Sequence, residues 1–359
     1  MMKAIFLSGL LLITTFMNVS AQHQPAALIE VAQFGHYQPI GLAVTRSGRI
    51  FVTFPFREPY QYGLAEIVKG QMRPYPNAAW NQHNDLDAQH HLMNVQALFA
   101  DHQNHLWVLD PSNPGEKEAI PPGIKLMKIN LATNKIEHIY RFEDLPRDKI
   151  ALNDVQIDNK HQLAYLSEPK TSSVVVLNLK TGKSRMVLTQ SRFTRADPDF
   201  KLHLDDRDVV DKEGRPFSSN VNGIALTHND RYFYFRAINQ TKLYRVATQY
   251  LADAALSNVQ LESHVEEVAA PGVSHGMIAD SKGNIYQSSS PDKSIKYVTP
   301  KGEVNVLVQD NRLSWPDSFG IGSDGYLYVT DSQLNRTPKY NKGEDRVVYP
   351  FKLCKVKLP

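Results

Sequence analysis

The 359-residue sequence predicts an all-β fold, a six-bladed β-propeller formed as one domain by residues 22–359. Three observations predict it. One strand–turn–strand pattern recurs six times, the copies are separated by blade-sized intervals, and the chain ends one strand short of a sixth blade while a spare strand sits near its start.

The first strands of the six copies align without gaps as Ile40-Gly-Leu-Ala-Val, Gln96-Ala-Leu-Phe-Ala, Asn153-Asp-Val-Gln-Ile, Asn222-Gly-Ile-Ala-Leu, His275-Gly-Met-Ile-Ala and Asp317-Ser-Phe-Gly-Ile. Ten residues after each first position stands a second apolar anchor: Ile50, Leu106, Leu163, Tyr232, Ile285 and Leu327. The segments between are polar turns such as Arg46-Ser-Gly48, His102-Gln-Asn104 and Ser323-Asp-Gly325. Alternating apolar residues around turn-forming residues are what a β-hairpin requires. The first positions are 56, 57, 69, 53 and 42 residues apart.

Each blade is completed by third strands at Leu126–Asn130, Ser173–Asn178, Lys242–Val246 and Ser294–Val298, with fourth strands such as Lys135–Tyr140 and Val304–Val308. The last copy is followed only by Phe351–Val356, so the missing strand is expected from Ala27–Phe34, which would join the two chain ends and leave no open edge. The longest interval holds a charged, proline-containing insertion at Arg192–Ser219, expected as a long loop with a small hairpin over one face of the ring.

Residues 1–21 have the layout of a secretory signal: Lys3, an apolar stretch from Ala4 to Met17, and Val19-Ser-Ala21 at the cleavage site. The expectation is a protein outside the cytoplasm, in a bacterial periplasm, with no membrane span and acting as a monomer. Cys354 is the only cysteine, so no intramolecular disulfide is available and the residue reads as part of a buried strand. A net charge of +3 with scattered basic residues excludes a nucleic-acid-binding patch. Gly-x-Ser-x-Gly, His-Glu-x-x-His and glycine-rich phosphate loops are absent from the sequence.

The repeat register selects one residue per blade: Ile40, Gln96, Asn153, Asn222, His275 and Asp317. Five of the six are polar at the start of apolar strands, which places them around one mouth of the central channel. Two readings compete. The ring binds a small molecule or metal through convergent side chains, or its members satisfy one another and ordered water. Gln96, Asn153, Asn222, His275 and Asp317 are the candidate ligand-binding residues. Asn153, Asn222 and Asp317 offer oxygen donors for Ca²⁺ or another divalent cation, with Asp154 and Asp331 as nearby carboxylates. His275 is the candidate proton shuttle, since an unperturbed imidazole titrates near neutrality, and Asp317 the group that orients or charge-stabilises it. His83, His90 and His91 form a second polar cluster read as a surface loop. Asp110 and Asp331 end second strands in equivalent register and are expected to cap turns.

Asn94-Val-Gln-Ala-Leu-Phe-Ala-Asp101 with His105-Leu-Trp-Val-Leu-Asp110 resembles the second-blade signature of the major royal jelly/Yellow family. Asn222-Gly-Ile-Ala-Leu with Tyr232-Phe-Tyr-Phe, Ser274-His-Gly-Met, and Trp315-Pro-Asp-Ser with Leu327-Tyr-Val-Thr-Asp331 are similar to it as well. The resemblance runs from about residue 30 to 336 and implies a secreted six-bladed propeller. Insect members are associated with pigment formation, including dopachrome-type tautomerisation, and some salivary members bind biogenic amines in the central cavity. A more distant resemblance is to gluconolactonase/senescence-marker propellers, lactone hydrolases with a bound divalent metal. Asn153-Asp154, Asn222-Gly223 and Pro316-Asp317 match that family's motifs, whereas its first-blade glutamate falls on Ile40, which has no ligand atom. Three functions are therefore carried forward: a small-molecule binder with tautomerase-like chemistry, a metal-dependent lactonase, and a periplasmic protein-interaction propeller.

Overall fold

The computed structural model describes residues 27–114 and 118–359. The signal-like segment 1–21 lies outside the described residues. Six four-stranded antiparallel sheets account for the repeats, each beginning with an inner strand: Leu42–Val44, Ala97–Ala100, Asp154–Asp158, Val221–Leu226, Met277–Ala279 and Pro316–Ile321. These inner strands touch in cyclic order, the sixth returning to the first. The sixth blade takes its outermost strand from Ile29–Gln33, which pairs antiparallel with Lys352–Lys357, so the ends of the ring are stitched as the sequence anticipates.

The ring is held by hydrophobic layers between successive blades, one per interface. Phe51 and Leu64 meet Leu98 and Leu106 between the first and second blades, and Leu126 and Leu109 meet Val155 and Leu166 between the second and third. Tyr165 and Val174 pack on Phe233 and Phe235, and Ala225 and Tyr234 on Met277 and Ile285. Tyr286 and Ile295 pack on Leu327 and Val356, and Phe351 and Leu353 close the circle against Leu42 and Val52. A middle strand is therefore covered on both faces: Leu163–Glu168 is buried throughout. That is why these strands read as continuous apolar runs, while an outer strand such as Gln71–Pro74 alternates.

The hairpin turns repeat as faithfully as the strands. In five of the six blades an Asp or Thr five residues after the ring position accepts backbone N–H groups of the turn, whereas the sixth has Gly322 there and uses Asp324, which accepts from Tyr326. Thr45 accepts from Arg49, Asp101 from Gln103 and His105, Asp158 from His161, Thr227 from Tyr232, and Asp280 from Lys282 and Asn284. Gly48, Gly283 and Gly325 occupy the left-handed conformation the turn demands, with φ of 79°, 84° and 75°. Asn104, Gln162 and Asp230 take it in the other three blades.

Two features depart from the sequence expectation. The fourth blade delays its last strand, Glu266–Ala269, behind two short helices, Thr248–Ala252 and Asn258–Glu262. The closing strand is shorter than expected, Ile29–Gln33 rather than Ala27–Phe34, and carries a bulge between Glu30 and Ala32.

Candidate functional site

All six ring positions open into one cavity of about 610 Å³ at the mouth where the inner strands begin. The fold thus brings together residues far apart in the chain. What holds them so close to the axis is a recurring pair of devices. A small residue follows the ring position: a Cβ on Gly41 would lie 2.6 Å from the Gln96 carbonyl oxygen, and one on Gly276 would lie 1.7 Å from that of Asp317. Each glycine therefore lets one blade abut the ring residue of the next.

The second device is a hydroxyl on the adjoining strand, 13 or 14 residues after the ring position, which accepts the N–H of the residue at or after the ring. Thr53 accepts from Gly41 at 2.7 Å, Ser167 from Asp154 at 3.1 Å, Ser288 from His275 at 2.9 Å, and Thr330 from Ser318 at 3.2 Å. Thr53 also donates to the Gln96 carbonyl and Thr330 to the Ile40 carbonyl, tying neighbouring blades at the axis. These residues were missed by sequence reasoning, although a hydroxyl at a fixed offset in four copies was a usable signal.

His275 is almost fully buried, with 3% of its surface exposed. Its ring stacks on Trp315 at 3.9 Å between centroids, and Nε2 lies 2.6 Å from the Ser290 hydroxyl. Nδ1 is buried without a hydrogen-bond partner. Desolvation, reinforced by the nearby Arg236 cation, pushes the imidazole down to about 3, so it is neutral across the physiological range. Sequence reasoning assigned the shuttle role from an unperturbed value; burial removes that premise. Arg236 itself is fully buried and among the described residues has no carboxylate partner: it donates to the carbonyls of Gln240 and Gly272 and to the Gln287 side chain.

Asp317 behaves in the opposite sense. Burial raises its carboxyl to about 6, partly offset by a 3.1 Å hydrogen bond donated by Ser332 and by the positive charge of Arg57. It therefore exchanges a proton near neutrality. The amides are less free. Gln96 Nε2 donates to Asn153 Oδ1 at 3.4 Å, and Asn222 Nδ2 donates to the Ser219 hydroxyl at 3.3 Å. The ring is thus partly self-satisfied: one hydrogen bond joins the amides of Gln96 and Asn153, Asn222 is held by Ser219, and the imidazole keeps an orphan nitrogen.

Two segments roof this mouth. The Arg192–Ser219 insertion forms the small hairpin His203–Leu204/Arg207–Asp208 and sends Asp211, Arg215, Phe217 and Ser219 to the cavity wall. Its Asp205 reaches across to Lys293 and Arg336, both at 3.2 Å, so the insertion is anchored on the fifth and sixth blades. The second roof, between Asp331 and Lys352, contributes Leu334, Lys339 and Tyr340 and was not anticipated. Phe217 meets Trp315 edge-on at 5.2 Å and Tyr340 at 5.9 Å, which gives the cavity one aromatic side.

The nearby carboxylates face elsewhere. Asp154 lines the cavity at the opposite end of the channel, and burial raises it to about 7. Asp331 accepts the N–H groups of Ser314 and Trp315 and Asp110 those of Met93, Asn94 and Ser112, both in the turn-capping role expected of them. His83 bonds Asp85 and stacks on Phe56, His90 bonds Asp87, and these histidines take no part in the axial cavity. Among the described residues no group of three or more His, Cys, Asp or Glu converges as a metal site.

The comparisons agree with this architecture. A gluconolactonase from Xanthomonas campestris superimposes with a TM-score of 0.56 at 10% identity, covering 93% of this chain and 90% of that one. The calcium-binding protein regucalcin from Agrobacterium tumefaciens gives 0.55 at 12% identity, over 93% and 95% of the two chains. A streptogramin B lyase gives 0.50 at 12% identity, over 93% and 98%. At such identities the likeness is one of fold. No curated protein sequence matches the chain. The family model described as Major royal jelly protein matches residues 93–358, from the second blade through the strand that closes the ring, and the chain belongs to that family.

Proposed function

We propose that the protein binds a small polar or aromatic-amine-type molecule in the axial cavity and works outside the cytoplasm as a monomer. The observation that carries the reading is one roofed mouth combining a buried carboxyl raised to about 6, Asp317, with the aromatic side formed by Trp315, Phe217 and Tyr340. An ammonium group beside the Asp317 carboxylate would hold that carboxyl ionised, and a flat ring would lie against the aromatic side. The amides of Gln96, Asn153 and Asn222 supply further hydrogen bonds around the rim.

Tautomerase-like chemistry fits the same groups with their roles redistributed. A tautomerisation moves one proton off carbon and returns one to a heteroatom. Asp317, poised at about 6, is suited to accept and return it. His275, held neutral with an unpartnered Nδ1, is suited to hydrogen-bond the substrate without carrying charge.

The metal-dependent lactonase reading is weaker on the donor set. Ile40 brings hydrocarbon where a carboxylate is wanted, Asp154 and Asp331 face away, and of the six ring positions only Asp317 supplies a carboxylate. That set does not fit a tight divalent site.

The test is calorimetric titration of dopamine and serotonin into the wild type, Asp317→Asn and His275→Ala, with dopachrome consumption followed in parallel. Binding lost in Asp317→Asn supports the reading. Binding unchanged in both variants removes the site assignment.

A further inference from the structure

The inner strands all run in the same direction, so the channel has a second mouth at their far ends, framed by the hairpin turns. A cavity of about 640 Å³ opens there. Beside Asp154 and Gln156 its wall carries an apolar strip: Val44, Phe99, Ile278 and Ile321 each belong to a different blade, line the cavity and remain only half-buried. Apolar side chains left this accessible around a concavity mark a place for apolar ligand surface.

One stretch of the lip gathers a guanidinium and two imidazoles, although Asp101, Asp154, Asp230 and Asp280 also line the cavity. Arg46, His102 and His228 are exposed residues from the turns of the first, second and fourth blades. The Arg46 guanidinium lies 3.5 Å from His102 Nδ1, and the two imidazoles meet edge-on at 4.2 Å. Among the described residues Arg46 forms no ion pair. The acids of the second, fourth and fifth turns already accept hydrogen bonds from their own turns and neighbours. Asp101 accepts from Gln103, His105 and Trp107, Asp230 from Lys160, and Asp280 from Lys282, Asn284 and Tyr286. Lys282 donates to Pro359 at 3.1 Å and is not part of the cluster. Crowding of these groups also lowers the proton affinity of His102, with desolvation first, then His228 and Arg46.

We propose that this second mouth binds an amphiphilic organic monoanion, a single-chain carboxylate of the fatty-acid type. Its headgroup sits among Arg46, His102 and His228 and its chain descends along the apolar strip toward the channel. One fixed cation flanked by two imidazoles matches a singly charged headgroup, and the imidazoles add N–H donors to a carboxylate. The site is separate from the Asp317 mouth, and the proposal stands without any function at that mouth.

The experiment is calorimetric titration of decanoate into the whole protein, with decylammonium and acetate as controls, repeated for Arg46→Glu and Asp317→Asn. Arg46 is exposed, so its substitution leaves the core intact. The expected result is one decanoate per chain, at least tenfold weaker binding of decylammonium and acetate, at least tenfold loss in Arg46→Glu, and no change in Asp317→Asn. Decanoate binding that is absent, matched by decylammonium, or unaffected by Arg46→Glu overturns the proposal. Loss in Asp317→Asn alone would place decanoate at the other mouth and overturn it too.

Discussion

Asp110→Ala should be among the costliest single substitutions in the second blade. The carboxylate accepts three backbone N–H groups, from Met93 at 2.7 Å, Asn94 at 3.0 Å and Ser112 at 2.9 Å. It also pairs with Lys125 at 3.2 Å, both side chains being wholly buried. The lysine keeps two carbonyl acceptors, Ala88 and Gly123, but loses its counter-charge in a site where desolvation already lowers its proton affinity. Removing one partner of a buried pair costs about 3–5 kcal/mol. Stranded N–H groups add about 1–3 kcal/mol each unless water enters the vacated space. With water rescuing part of that, the expected loss is roughly 4–6 kcal/mol, read as a fall in the urea midpoint at constant m-value.

The pair is also coupled. Asp110→Asn with Lys125→Met keeps an acceptor for the backbone and removes the isolated cation, so the double variant should be more stable than additivity of the singles predicts. A loss below about 1 kcal/mol for Asp110→Ala, or strict additivity in the cycle, would refute the reasoning. The consequence reaches the cavity because Asn94 and Pro111, which flank this carboxylate's contacts, line it.

Gly276→Ala should destabilise by about 1–3 kcal/mol or more, since the added methyl would stand 1.7 Å from the Asp317 carbonyl oxygen, and thermal unfolding checks it. The His275 imidazole carbon resonances should stay flat from pH 5 to 8, because burial holds the ring near 3; a midpoint inside that range contradicts the neutral assignment. Asp154→Asn should make the protein less sensitive to alkaline pH. Its folded pKa, about 7, lies above the unfolded value, so the wild type loses stability as pH rises from about 4 through 7 and the loss is complete above that. The variant escapes this and should gain roughly 1–3 kcal/mol at pH 8 relative to pH 4, by paired denaturant curves.

The blades were legible because a hairpin fixes the distance between its anchors: ten residues separate Ile40 from Ile50 and Asp317 from Leu327 alike. Burial on both faces then made the middle strands conspicuous as apolar runs such as Ser173–Asn178. The ring followed from register alone, since equivalent positions around an axis converge whatever their identity. Direction and protonation did not follow. Asn153 and Asp154 are neighbours in sequence but open to opposite mouths, and only the placement of the strand decides which. The neutral state of His275 depends on Trp315 and Arg236, which come from other blades. The roof between Asp331 and Lys352 escaped notice because its anchors, Leu334 and Tyr340, lie in short 3₁₀ turns with no repeating pattern.

The most direct measurement is a crystal structure of the protein grown with dopamine. The account predicts density in the axial cavity, with the amine beside Asp317 and the ring against the side formed by Trp315 and Phe217. A well-occupied ligand at any other position, with the axial cavity filled only by ordered water, would contradict it.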